Sequence, residues 1–213
     1  MSVEVEIKLK IREDDVTALK NALNSQGFVT GDTVIESDLY YTSAHHDFIR
    51  LDEALRVRTI ETLRNGTVES VSSVLTYKGP KLDQRSMARK ELETPVGDAT
   101  ICDEILRNIG FSSVPPVRKK RQHFLKEDVT ACIDSVEGLG DYLELEIIVP
   151  SESQRETALK KIETLLLYLG YSMSDTTRIS YLSMLMQQSR SVRSGIETFY
   201  SDSNKIPNVF GPQ

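Results

Sequence analysis

A chain of 213 residues, 39% hydrophobic and 27% charged, has the make-up of an ordinary globular protein with a sizeable core, in one large domain or two small ones. Its net charge of −6 argues against a broad nucleic-acid-binding surface, while leaving room for a concentrated basic site inside. No apolar run approaches a membrane span or a signal peptide, and two cysteines make no disulfide framework. The expectation is a cytoplasmic chain with no membrane or nucleic-acid partner.

The first stretch, VEVEIKLKI, alternates. Val3, Val5, Ile7 and Leu9 face one way, and Glu4, Glu6 and Lys8 the other. Two carboxylates about 7 Å apart on one strand face repel by roughly 2 kcal/mol at intermediate dielectric. Water and salt excuse that on an open surface; an enclosed site requires a counter-cation. Residues 12–28 predict a helix with Val16, Leu19, Ala22 and Leu23 on one side, acidic residues in its first turn and Gly27 after its last. DTVIESDLYYT is a second strand, followed by the polar loop 43–53. Asn65-Gly66 predicts a tight hairpin joining two long antiparallel strands over 54–79.

RSMARKELETPV adds a strand. A short helix follows around TICDEILRNIG, with Ile101, Ile105 and Ile109 at helical spacing and Gly110 as its stop. SSVPP reads as a linker into the strand VRKKRQHFL. ACIDSV and YLELEIIV are joined by a turn at Gly138 and Gly140. A long helix over 151–169 buries Ala158, Ile162, Leu165, Leu166 and Leu169, and TTRISYLSMLMQQ forms one more helix. About eight meandering strands favour an antiparallel sheet, which loses its edges by closing into a barrel. The fold class is therefore α+β, an eight-stranded antiparallel barrel with flanking helices over 1–188, and a polar tail over 189–213.

Several strands group like charges on one face. Arg56 and Arg58 share a face in ALRVR, as do Arg89, Glu91 and Glu93 in ARKELE, Lys119 and Arg121 in VRKKR, and Glu144 and Glu146 in YLELEI. Lys78 ends LTYKG on the side of Thr76. Each pair alone suits a solvated face; jointly they favour an enclosed site. Grouped carboxylates with room for water suit Mg²⁺ or Mn²⁺, and grouped Arg and Lys suit phosphate oxygens. Both together have the electrostatics of a metal–polyphosphate complex, and no glycine-rich phosphate loop is present to hold one instead.

This series of motifs resembles the CYTH-domain, or triphosphate tunnel metalloenzyme, superfamily. The resemblance runs from Glu4, Glu6 and Lys8 through Arg56-x-Arg58, LTYKGP with Lys78, and ARKELE. It ends with Lys119, Arg121 and DSVEGLGDYLELE, which carries Asp134, Glu144 and Glu146. It covers about residues 1–185 and is nearest to archaeal and bacterial class IV adenylate cyclase-like members. It implies a tunnel enzyme in which Glu4, Glu6, Glu144 and Glu146 bind Mg²⁺ or Mn²⁺, with Glu4, Glu6 and Lys8 as catalytic residues. Arg56, Arg58, Lys78, Arg89, Lys119 and Arg121 would grip phosphates. Lys8 either activates the nucleophile or neutralises phosphate charge, and Glu91, Glu93 and Asp134 orient groups through water or pair with cations. The implied partner is a triphosphate: ATP converted to cyclic AMP and pyrophosphate, or, alternatively, inorganic triphosphate, thiamine triphosphate or a nucleotide hydrolysed. A binding module without turnover is the further alternative. Relatives often dimerise, so a homodimer is implied by resemblance only. His45-His46-Asp47 reads as a solvated loop, His123 as an exposed strand position, Tyr40 and Tyr41 as packing, and Arg178 as a helix-surface residue.

Overall fold

A computed structural model describes residues 2–12 and 14–189. The chain divides into two compact units, Met1–Arg178 and Ile179–Gln213. In the second, residues 181–189 are helical, and nearly all of the expected tail lies outside the described residues.

The first unit is built on strands β1 (Val3–Lys10), β2 (Val29–Ser43), β3 (Ala54–Arg64), β4 (Thr67–Lys78) and β5 (Arg89–Val96). After them come β6 (Phe111–Ser113), β7 (Val117–Lys126), β8 (Val129–Val136), β9 (Gly140–Val149) and β10 (Thr176–Thr177). Helices α1 (Val16–Ser25), α2 (Ala99–Asn108) and α3 (Arg155–Tyr168) follow β1, β5 and β9. Neighbouring strands run in the order β1-β5-β4-β3-β2-β7-β8-β9, and β9 pairs back with β1, so eight antiparallel strands close into a barrel. β6 extends β2 at one end, and β10 pairs with β1 through Lys8 and Thr177. The hairpin between β3 and β4 turns at Asn65 (φ 52°) and Gly66 (φ 80°), the left-handed pair that a two-residue turn requires.

The hydrophobic core lies outside this barrel. Val3, Val5, Ile7 and Leu9 of β1 join Ala131 and Ile133 of β8 and Leu143, Leu145 and Ile147 of β9. Onto that outer face pack Leu19 and Leu23 of α1 and Ala158, Leu159, Ile162 and Leu166 of α3. Each large side chain buried there is worth about 1.5–3 kcal/mol, which offsets the cost of a charged interior. A smaller cluster sets Leu106 of α2 on Tyr41 and Val57.

Five expectations need correction. α1 begins at Val16, so the acids precede it and its first turn holds none. On α2 the isoleucines are not the buried stripe: Ile101, Ile105 and Ile109 are 52%, 56% and 64% exposed, and Leu106 is the buried residue. SSVPP is not all linker, because Phe111–Ser113 pairs with Tyr41–Ser43. TTRISYLSMLMQQ is not one helix either: Thr176 and Thr177 are strand, and the helix starts at 181. Leu165 is only partly buried.

Candidate functional site

Because the outer face carries the apolar residues, the alternation of each strand drives its polar residues into the lumen. Glu6 and Lys8 of β1, Arg56 and Arg58 of β3, Arg89 of β5, Lys119 and Arg121 of β7, Asp134 of β8 and Glu144 of β9 are all buried. Glu4, Lys78, Glu91 and Glu146 are partly buried on the same faces. Glu93 is exposed and accepts a 2.7 Å hydrogen bond from the buried Thr76 hydroxyl.

Two lumen residues were missed by the sequence reading. Glu36 and Asp38 of β2 are buried among the cations. The signal was available: in IESDL they form the same acid-x-acid pattern as Glu4 and Glu6.

The charges are linked into a chain that runs almost completely round the barrel. Lys78 Nζ lies 3.0 Å from Glu4 and 2.9 Å from Glu91, and Arg56 lies 3.7 Å from Glu91 and 3.3 Å from Asp38. Arg58 grips Asp38 with Nε at 2.5 Å and Nη2 at 2.7 Å, and reaches Glu36 at 2.9 Å. Lys119 lies 3.2 Å from Glu36 and 2.9 Å from Asp134. Arg121 repeats the fork on Asp134 at 2.6 and 2.7 Å and also bonds Glu144, which Lys8 approaches to 3.7 Å. The chain thus starts at Glu4 on β1 and returns to Lys8 on the same strand.

Its gap is at Glu6 and Glu146. These residues are direct cross-strand partners on β1 and β9, and no hydrogen bond or ion pair reaches either carboxylate among the described residues. Burial first, then repulsion from Glu144, raises Glu6 from 4.5 to about 7. Burial, then repulsion from Glu4 and Glu6, raises Glu146 to about 8. Glu4 is also raised, by burial against the opposing pull of Lys78. Elsewhere the cations win. Burial works to raise Glu36, but Lys119, Arg121 and Arg58 outweigh it and bring it to about 2. Burial likewise opposes, and Lys119, Arg121 and Lys8 overcome it, to hold Glu144 well below the usual carboxylate range.

The four glutamates expected to act together therefore divide. Glu144 is embedded in cations and Glu4 has Lys78 alone, while Glu6 and Glu146 have no ion-pair partner among the described residues. Among the described residues no three His, Cys, Asp or Glu side chains converge closely enough to hold an ion by themselves. The donor set nonetheless fits a hard divalent ion, since Mg²⁺ is commonly held by one or two carboxylates with water and phosphate oxygens completing its shell. Carboxylates kept partly protonated by burial first, and then by mutual repulsion, are the groups a cation would relieve.

Arg89 differs from the other lumen cations. It has no ion pair among the described residues, and its Nε donates to the Met87 carbonyl at 3.4 Å. Arg178 is not on a helix: it follows β10, and its guanidinium donates to Ser86 O at 2.9 Å, Gln84 Oε1 at 2.9 Å and Asp83 O at 2.6 Å. It fastens the loop between β4 and β5, whose Met87 N–H bonds Glu6 O at 2.9 Å. His46 pairs with Glu53 at 2.5 Å, a loop contact. His123 is partly buried and faces Asp32 O, and Tyr41 packs with its hydroxyl on Asp103. No helix among the described residues is long and apolar enough to cross a membrane.

Comparison with known proteins agrees with this geometry. The CYTH domain model matches residues 2–181. A protein of Methanocaldococcus jannaschii named "Putative adenylate cyclase MJ0240" is 37% identical over 182 residues, 85% of this chain and 98% of that one. "Adenylate cyclase CyaB" of Aeromonas hydrophila is 25% identical over 185 residues, 86% of this chain and 89% of that one. The solved structure of PH1819 from Pyrococcus horikoshii OT3 superposes with a TM-score of 0.76 at 34% identity, covering 87% of this chain and 99% of that one. A closed barrel with its apolar core outside and its charges inside, matched by one family model along nearly all of the first unit, places this chain in the CYTH domain family.

Proposed function

We propose that this chain is a divalent-metal-dependent enzyme that binds a triphosphate in the barrel lumen and, as an adenylate cyclase, converts ATP to cyclic AMP and pyrophosphate. One observation carries the reading: among the described residues, the lumen's ring of ion pairs is broken where Glu6 faces Glu146, beside cations suited to phosphate. The names of the two curated relatives support the cyclase over other chemistries.

Glu6 and Glu146, with Glu4 beside them, would hold Mg²⁺ or Mn²⁺. When bound, that ion supplies Lewis-acid neutralisation of phosphoryl oxygens. Arg56, Arg58, Lys78, Arg89, Lys119 and Arg121 bind and orient the phosphate chain in line with the attacking group. Arg89, which has no ion pair among the described residues, is the first anchor. Lys8, held by Glu144, serves as a cation toward the phosphates. Asp134 and Glu91 aim Lys119, Arg121, Lys78 and Arg56 rather than touching substrate, and Glu93 acts through Thr76 at the mouth.

In the reaction the ribose 3′ oxygen bonds to the α-phosphorus, its proton passes to water, and the bond to pyrophosphate breaks with the electron pair on the leaving oxygen. The developing charge on that oxygen falls among Arg and Lys side chains already fixed by their ion pairs, so little reorganisation is needed. Incubation with ATP and Mg²⁺, then Mn²⁺, followed by analysis of all products, tests this. Cyclic AMP with equimolar pyrophosphate is expected. Orthophosphate, with faster turnover of inorganic triphosphate than of ATP, would assign a hydrolase instead. Tight binding with neither product would leave a binding module.

A further inference from the structure

We propose that Glu36 and Asp38 make anion binding in the lumen conditional on a divalent cation, by keeping Arg56, Arg58 and Lys119 neutralised until that cation arrives. The inference rests on the triphosphate reading above. In the barrel order β2 lies four strands from β1 in either direction, so these two acids sit across the lumen from the Glu6–Glu146 gap. They are only 4% and 3% exposed. Neither is placed to complete a cation site at that gap, and each is already ion-paired to cations of its own wall. Glu36 lies 2.9 Å from Arg58 and 3.2 Å from Lys119. Asp38 takes the Arg58 fork and the Arg56 contact.

Such acids look wasteful in a phosphate site, because they oppose the ligand. Without them, however, the wall formed by β3 and β7 would carry a buried surplus of positive charge. It would take up any polyanion, metal-free or not, and would hold pyrophosphate after reaction. With them the lumen is close to electroneutral, and the balance tips toward an anion only when positive charge enters at Glu6 and Glu146. Removing one elementary charge about 6 Å from a phosphate oxygen, at an effective dielectric of about 20, changes affinity by well over tenfold.

The test measures calorimetric binding of inorganic tripolyphosphate to the full chain, in EDTA and in excess Mg²⁺. The wild type should bind only with Mg²⁺. Glu36→Gln, which keeps the side-chain shape and leaves Asp38 and Asp134 as partners for Arg58 and Lys119, should bind in EDTA at least tenfold more tightly than the wild type. Asp38→Asn should do the same. A gain of binding cannot arise from misfolding. Tight wild-type binding in EDTA, or no gain in either variant while the wild type binds with Mg²⁺, overturns this proposal alone. Wild-type binding under neither condition removes the triphosphate reading itself, and this inference with it.

Discussion

Glu6 and Glu146 stand directly opposite each other on β1 and β9, with no ion-pair partner among the described residues. Their carboxyls are raised to about 7 and about 8, so in the metal-free protein the folded state keeps protons that the unfolded chain loses above about 4.5. A raised acid costs the fold stability as pH climbs through that window. Metal-free protein should therefore melt lower at pH 8.5 than at pH 6. Mg²⁺, which replaces those protons, should raise the melting temperature by at least a few degrees more at pH 8.5 than at pH 6. In Glu146→Gln most of that difference should vanish. Equal Mg²⁺ shifts at both pH values would contradict the assignment.

Asp38 holds two guanidinium groups in a buried site. Asp38→Ala leaves Arg58 with Glu36 alone and Arg56 with Glu91 alone, and should cost about 3 kcal/mol in urea unfolding at pH 7. The acid side offers a second reading of the same ring. Glu36 is held near 2, against 4.5 in the open chain, so its contribution is fully present above about 4.5 and is lost as pH falls toward 2. Glu36→Gln should flatten that part of the acid-unfolding curve, and an unaltered curve would count against it.

Arg178 spends its whole guanidinium on the loop between β4 and β5. Replacing it with Met should cost about 2 kcal/mol, since three acceptors lose a charged donor. The specific signature is local: backbone amides of Ser86, Met87 and Ala88 should exchange with deuterium faster, while those of β8 should not change. Uniform acceleration across the barrel would show only a global loss of stability.

On α2 the prediction separates two apolar stripes. Ile105→Asn should change stability by no more than about 0.5 kcal/mol, because Ile105 is exposed, whereas Leu106→Ala should cost about 2–3 kcal/mol. Matching thermal melts of the two variants check it.

That helix also shows where sequence reading ended. Ile101, Ile105 and Ile109 mark a helix by their spacing, but periodicity does not say which of two apolar stripes is buried; Leu106 with Cys102 and Ala99 makes the other, and contact with Tyr41 and Val57 decides. The barrel was legible because alternation is local: each of β1, β3, β7 and β9 declares its charged face in a few residues. The ring of ion pairs was not. Lys78 meets Glu4 across 74 positions of sequence, and only the strand order brings them together. For the same reason Glu144 could not be distinguished in advance from Glu6 and Glu146. All three lie on acid-x-acid strands, yet Arg121 and Lys119 on the β7 side claim Glu144. Glu36 and Asp38 carried the same local pattern and needed only the same argument.

The central claim is that the break in the ring is where a divalent ion meets a string of phosphates. Crystals grown with Mn²⁺ and tripolyphosphate, measured at the manganese absorption edge, test it most directly. The account predicts an anomalous peak inside the barrel, bound by Glu6 and Glu146 and by tripolyphosphate oxygens that also touch Arg89 and Lys78. Manganese bound outside the lumen, or tripolyphosphate bound there without it, would contradict the account.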